Sequence, residues 1–214
     1  MSDQMTIKVR ESGPYLVTHC QMLKSLDGSV YKSEGTVALC RCGGSKNKPY
    51  CDGTHTTNGF SGEKDPDRVP DKRVDYAGHG GILSDNRGIC AHSGQCADSL
   101  PKVFKLGADV WVDAAEENPE SIQATVLKCP SGAISYWIDG VDYHDTARQP
   151  AILISPNGPY TIQGGANLPD VEWGEGASRE HFTLCRCGHS RNKPFCSGAH
   201  WNHQFDEHAP KKDG

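Results

Sequence analysis

Two stretches of the chain share one pattern of apolar and polar positions. From Gly13 the chain reads Gly-Pro-Tyr, alternates apolar and polar side chains, passes polar turn residues and returns to an apolar run at Thr36–Leu39. From Gly158 it does the same, returning at Phe182–Leu184. Each run ends on Cys-Arg-Cys. Period-two alternation bounded by turn residues predicts strand, turn, strand and then a loop. No helical period runs through either stretch, so both are expected to be mostly β. The segment between them, roughly 68–147, differs. Asn118 reads as an N-cap, Pro119 as the first helical residue and Glu120 as a first-turn acid, ahead of an apolar face of Ile122, Val126 and Leu127. Pro130 stops that helix. The charged runs Glu63–Arg68 and Asp145–Pro150 mark boundaries, giving domains 1–66, 67–147 and 148–214.

Composition sharpens this picture. Leu, Ile, Val and Phe together make only about 17 per cent of the 214 residues, too few for a large aliphatic core. A net charge of −5 is too small to make disorder the explanation. Ten Cys and ten His are the other candidates for holding the chain together, and Trp111, Trp137, Trp173 and Trp201 are expected to fill the thin core. No run of eighteen apolar residues is present, so no membrane partner is expected. Residues 1–10 lack the apolar stretch of a secretory signal. The expected location is therefore cytoplasmic, where Cys is read first for metal. The absence of a basic stripe argues against a nucleic-acid partner.

Residues 40–55, CRCGGSKNKPYCDGTH, and 185–200, CRCGHSRNKPFCSGAH, are identical at eleven of sixteen positions. The repeated ligand set is Cys40, Cys42, Cys51 and His55, then Cys185, Cys187, Cys196 and His200. Three thiolates and one imidazole suit either a structural zinc or an iron–sulfur cluster. The spacing favours the cluster, because Cys-x-Cys on a strand end and Cys-x3-His at a helix start form two separate pairs, one for each of two irons.

The pattern C-x-C-x2-S-x3-P-x-C-D-G-x-H resembles the CDGSH iron–sulfur domain of the mitoNEET type. That resemblance implies a [2Fe–2S] cluster in each copy, with Cys40 and Cys42 on the inner iron and Cys51 and His55 on the outer. The second copy departs at Ser197, where the family has Asp. Ser197 should preserve the loop but adds no negative charge, so the second cluster is expected at the slightly higher reduction potential. Among the other repeated residues, Gly43 and Gly188 serve a sharp turn, Ser45 and Ser190 donate to sulfur or cap the turn, and Pro49 and Pro194 stiffen the approach to the third Cys. Neutral imidazole ligands allow redox to couple to a proton and make acid release of both clusters an expectation.

In the middle segment, Cys90-x5-Cys96 followed by Cys129-Pro130 resembles single-cluster ferredoxins, including the divergent four-iron domain found beside CDGSH repeats. Ser93 stands where a further Cys would sit. Three thiolates, Cys90, Cys96 and Cys129, suit [3Fe–4S], which is preferred; a [4Fe–4S] cluster needs a fourth ligand, His92 or Ser93 being nearest. Cys20 is expected to be a buried small apolar residue. No hydrolase, nucleotide-binding or zinc-protease motif is present, so an enzyme is not expected. The resulting picture is an α+β chain, mostly β: a cradle of two pseudo-twofold CDGSH repeats with an inserted ferredoxin-like α+β domain. The expected partner is a redox or apo-acceptor protein not yet identified, and the expected state is a monomer with an internal pseudo-dimer. Electron carriage is the leading function; cluster storage and transfer, or redox and pH sensing, is the alternative.

Overall fold

The computed structural model describes residues 4–169 and 171–208. The first repeat contributes β1 (Thr6–Val9), β2 (Tyr15–Thr18), β3 (Leu23–Ser25), β4 (Val30–Tyr31) and β5 (Thr36–Leu39). Tyr15 and Val17 of β2 point inward while Leu16 and Thr18 are half-buried, which is the alternation read from the sequence. Strands β1, β2 and β5 form one antiparallel sheet in that order.

The middle segment builds a four-stranded antiparallel sheet from β6 (Arg73–Ala77), β7 (Gly81–Asn86), β8 (Ile134–Ile138) and β9 (Val141–Tyr143). Between β7 and β8 run α1 (Gln95–Ser99) and α2 (Pro119–Val126). The cap of α2 forms as expected: the Asn118 side chain accepts the Ser121 N–H at 2.9 Å, and Pro119 opens the first turn. Leu127 closes the helix rather than extending its apolar face, and Thr125 takes a buried place beside Ile122 and Val126.

The second repeat supplies β10 (Ala151–Ile154), β11 (Tyr160–Gln163), β12 (Phe182–Leu184) and α3 (Ala199–Asn202). Its sheet runs β12-β11-β10-β3-β4, so a hairpin of the first repeat completes it. Strand β3 lies parallel to β10, Leu23 opposite Ile152. The exchange is returned in a shorter form. The Ile7 N–H donates to the Asn167 carbonyl at 2.9 Å, and the Asn167 N–H donates to that of Met5 at 2.8 Å. A three-residue strand buries little surface alone. Lent across, Leu23 is fully buried, which contributes about 1.5–3 kcal/mol.

Two hydrophobic cores result. One lies between the repeats and joins Ile7, Val17 and Leu39 to Ile152, Ile162 and Leu184. The other fills the middle segment with Leu83, Phe104, Ile122, Val126 and Tyr136. Cys20 is buried in the first core, as expected. The tryptophan expectation holds for two of four. Trp173 packs on Phe182 and Phe195, and Trp111 on Phe104. Trp137 and Trp201 are instead 43% and 63% exposed, because β8 shows that face to solvent and α3 is too short to cover its own outer side. The architecture is α+β and mostly β, and among the described residues no helix is long and apolar enough to cross a membrane.

Candidate metal centres

Each Cys-Arg-Cys follows directly from a strand end, β5 or β12, so backbone pairing fixes its position. The paired sulfurs lie 3.9 Å apart at Cys40 and Cys42, and 3.8 Å apart at Cys185 and Cys187. The remaining candidate ligands close each loop. Cys51 Sγ is 3.4 Å from His55 Nδ1, His55 sitting in a 3₁₀ turn at Thr54–Thr56, and Cys196 Sγ is 3.5 Å from His200 Nδ1 in α3. Backbone amides of Gly44 and Gly53 donate to Cys42 and Cys51 sulfur, and those of His189 and Gly198 to Cys187 and Cys196. Such N–H groups stabilise thiolates. Within each Cys-x-Cys pair the hydrogen bond between the sulfurs drives one thiol down and the other up; burial raises Cys196 as well. Buried thiols that resist ionisation need a cation to become thiolates. Soft sulfur pairs, one imidazole and aimed amides fit an iron–sulfur cluster in both loops.

The two loops meet back to back. Cys42 and Cys187 form an isolated antiparallel bridge. Gly43 (φ 72°) and Gly188 (φ 85°) permit that approach: a Cβ at Gly43 would lie 2.3 Å from the Cys187 carbonyl oxygen, and one at Gly188 2.6 Å from that of Cys42.

Support for each loop crosses between repeats. The Tyr15 hydroxyl donates to the carbonyls of Cys185 (2.9 Å) and Pro194 (3.0 Å) in the other repeat. The Tyr160 hydroxyl donates to those of Cys40 and Pro49, both at 3.0 Å. The two rings meet edge-on at 6.1 Å. Lys48 reaches toward Phe205 and Lys193 toward Phe60, again across repeats. Arg41 and Arg186, the middle residues of the two Cys-Arg-Cys runs, are buried and donate to backbone carbonyls, Arg10 and Gly62 for one, Gly158 and Ser155 for the other, and Arg186 also pairs with the Glu207 carboxylate at 2.7 Å. Sequence reasoning passed over these tyrosines and arginines, although the repeated Gly-Pro-Tyr and Cys-Arg-Cys carried the signal. Ser45 and Ser190 donate to the Tyr50 and Phe195 carbonyls at 2.6 Å and not to sulfur.

Ser197 does the mechanical work of Asp52. The Asp52 carboxylate accepts the Lys46 N–H at 2.7 Å and the Thr54 N–H at 3.0 Å, and these bonds hold it well below the usual carboxylate range. Ser197 Oγ accepts the Arg191 N–H at 3.2 Å. The loop keeps its shape without the charge.

The surroundings of the two loops differ. Cys42, Cys51 and His55 are half-buried, whereas all four candidate ligands of the second loop are buried. The cause is the middle segment. Asn192 donates to the Asp71 carboxylate (2.6 Å) and the Gly88 carbonyl (2.8 Å), while its counterpart Asn47 is exposed. The Trp201 indole N–H donates to the His92 carbonyl at 3.0 Å, and the His92 ring presses on Gly198. Burial, with His92 and Arg186 near, holds His200 down at about 4.

Cys90, Cys96 and Cys129 line one cavity of about 150 Å³ in the middle segment, together with Asp85, Arg87 and Trp111. The His92 N–H donates to Cys90 sulfur at 3.4 Å, and Arg87 lies 3.9 Å from it. Burial and the neighbouring Cys129 push the Cys90 thiol up to about 12. Both sequence candidates for a fourth ligand, His92 and Ser93, line this cavity and are exposed; the His92 ring also packs beside Gly198 of the second loop. His189, passed over as a ligand, stacks on His203 with ring centres 3.9 Å apart.

The family described as iron-binding zinc finger, CDGSH type, matches residues 12–56 and 157–201. The divergent 4Fe–4S mono-cluster family matches residues 76–139. An uncharacterized protein of Escherichia coli (strain K12), YjdI, is 35% identical over 51 residues, 24% of this chain and 67% of that protein. The YjdI protein of Escherichia coli O157:H7 matches with the same figures. No solved structure matches the chain.

Proposed function

The chain belongs to the CDGSH iron-binding family, two domains of that type flanking a divergent 4Fe–4S mono-cluster domain, and from that premise we propose that it is a soluble carrier of single electrons. It holds a [2Fe–2S] cluster on Cys40, Cys42, Cys51 and His55, another on Cys185, Cys187, Cys196 and His200, and a third cluster on Cys90, Cys96 and Cys129. When bound, these groups supply one-electron redox chemistry without proton-transfer catalysis by the protein.

The chain's own residues do the rest. The repeats pair as a pseudo-twofold cradle, an arrangement supported by the exchange of β3 into the second sheet and by the crossed tyrosine bonds. The middle segment excludes water from the second loop through Asn192 and Trp201. His55, half-buried where its counterpart His200 is buried, offers the face for a partner protein. A chain with both halves of the cradle needs no second copy, so it is a monomer. Sequence favoured three irons in the middle, whereas the matching family is described as four-iron.

One observation carries the reading: the middle cavity and the second loop share His92, so two centres adjoin inside one chain while the first faces outward. Stopped-flow reduction with dithionite followed by reoxidation tests it. A carrier cycles with its iron retained. Transfer of iron and sulfide to an apo-ferredoxin during the cycle would instead favour cluster delivery, for which the half-buried His55 is the release point.

A further inference from the structure

Three cysteines line the middle cavity, one thiolate short of the four that a cubane cluster takes. The missing donor must come from the cavity wall. Ser93 and His92 share that wall but are exposed, and His92 has Nδ1 3.5 Å from the Arg87 guanidinium with its ring beside Gly198. Asp85 is different. It sits near the end of β7, 1% exposed, on the wall of the same cavity, and neither carboxylate oxygen has a hydrogen-bond partner. Among the described residues no Lys or Arg lies within ion-pair distance of it; the Arg87 charge acts on it only from further away, its guanidinium stacked on Trp111 at 4.4 Å. A buried carboxyl group without a hydrogen-bond partner, on the wall of a cavity that three cysteines line, is a costly arrangement for a protein that holds nothing there.

We propose that Asp85 is the fourth ligand of the middle cluster, one carboxylate oxygen binding the iron that the three thiolates leave uncapped. The inference rests on the reading that this domain holds a cluster, and it deepens that reading. The centre is then [4Fe–4S], in keeping with the family description, with one iron held by a hard oxygen donor where the other three have soft sulfur. An oxygen-held iron is the one most easily lost, so the three-iron form expected from sequence becomes the depleted state of the same site.

The test compares the full-length chain with Asp85→Asn and Asp85→Cys after anaerobic reconstitution with iron and sulfide. Mössbauer and paramagnetic resonance spectra are recorded in the oxidised and dithionite-reduced states. Expected is a four-iron signal in the wild type on reduction, a three-iron signal in oxidised Asp85→Asn with one iron fewer per chain, and recovery of the four-iron signal in Asp85→Cys. An unchanged four-iron signal in Asp85→Asn would overturn the assignment. So would a three-iron signal already present in the wild type, or loss of the third cluster from both variants alike, which would make Asp85 a residue of the fold. Absence of a third cluster from every sample, with both two-iron signals intact, would overturn the underlying reading and the ligand with it.

Discussion

Replacing Tyr15 by Phe should weaken the cluster site of the other repeat. The ring stays, so its packing against Tyr160 and beneath Arg41 is preserved, and only the hydroxyl is lost. That hydroxyl has one proton to donate and shares it between the carbonyls of Cys185 and Pro194 at 2.9 and 3.0 Å. Pro194 keeps a second donor, the Cys185 N–H at 2.8 Å, so the loss falls mainly on the Cys185 carbonyl. Depriving a buried acceptor costs about 1–3 kcal/mol. If the cost appears in loop opening, release of the second cluster to a chelator accelerates roughly 5- to 150-fold. The assay follows cluster absorbance at neutral pH in two backgrounds, Cys51→Ala to leave the second site and Cys196→Ala to leave the first. Tyr15→Phe should act in the first background and be near silent in the second. Tyr160→Phe should do the reverse, through Cys40 and Pro49. If each substitution instead weakens the loop of its own repeat, or both loops equally, the crossed support described above is refuted.

Three further outcomes follow from the same geometry. Gly43→Ala places a methyl group 2.3 Å from the Cys187 carbonyl at a φ of 72°, so both loops should move apart and iron content fall at both sites; loss confined to the first site would contradict the back-to-back contact. Acid release should begin at the first cluster, because His55 is half-buried while His200 is 5% exposed and held at about 4. The folded His200 binds its proton later than a free imidazole at 6.5, so stability is intact above that value and is lost as pH falls toward about 4; equal absorbance midpoints for the two single-site backgrounds would count against this. Ser197→Asp should lower the reduction potential of the second cluster by restoring a negative charge beside it, and a redox titration showing a rise would reject the electrostatic account.

Much of this architecture is legible in the sequence because its signals are local. The alternation around Tyr15 and Tyr160, the cap at Asn118 and the sixteen-residue loops each depend on neighbours close in the chain. Long-range relations are another matter. Leu23-Lys24-Ser25 reads as a short strand, yet nothing in three residues says that its partner is Ile152–Ile154. Asn47 and Asn192 occupy the same place in their loops, but one is exposed and the other 1% exposed, since only the second meets Asp71 and Gly88. Asp85 gives no sequence signal at all. A single acid near a strand end looks like any solvated residue until the fold closes β8 and the Cys129 turn around it. Trp137 and Trp201 show the converse error, since residue type suggests burial where the short elements leave a face uncovered.

The unequal shelter of the loops also bears on how such a protein can change. Two identical subunits in a closed pair must place every residue in the same setting twice, and any substitution strikes both. Joining the copies in one polypeptide lifts that obligation. Each loop can then be adjusted by itself, as Ser197 opposite Asp52 already illustrates, and a single gene can come to hold one guarded centre and one approachable centre within a common frame.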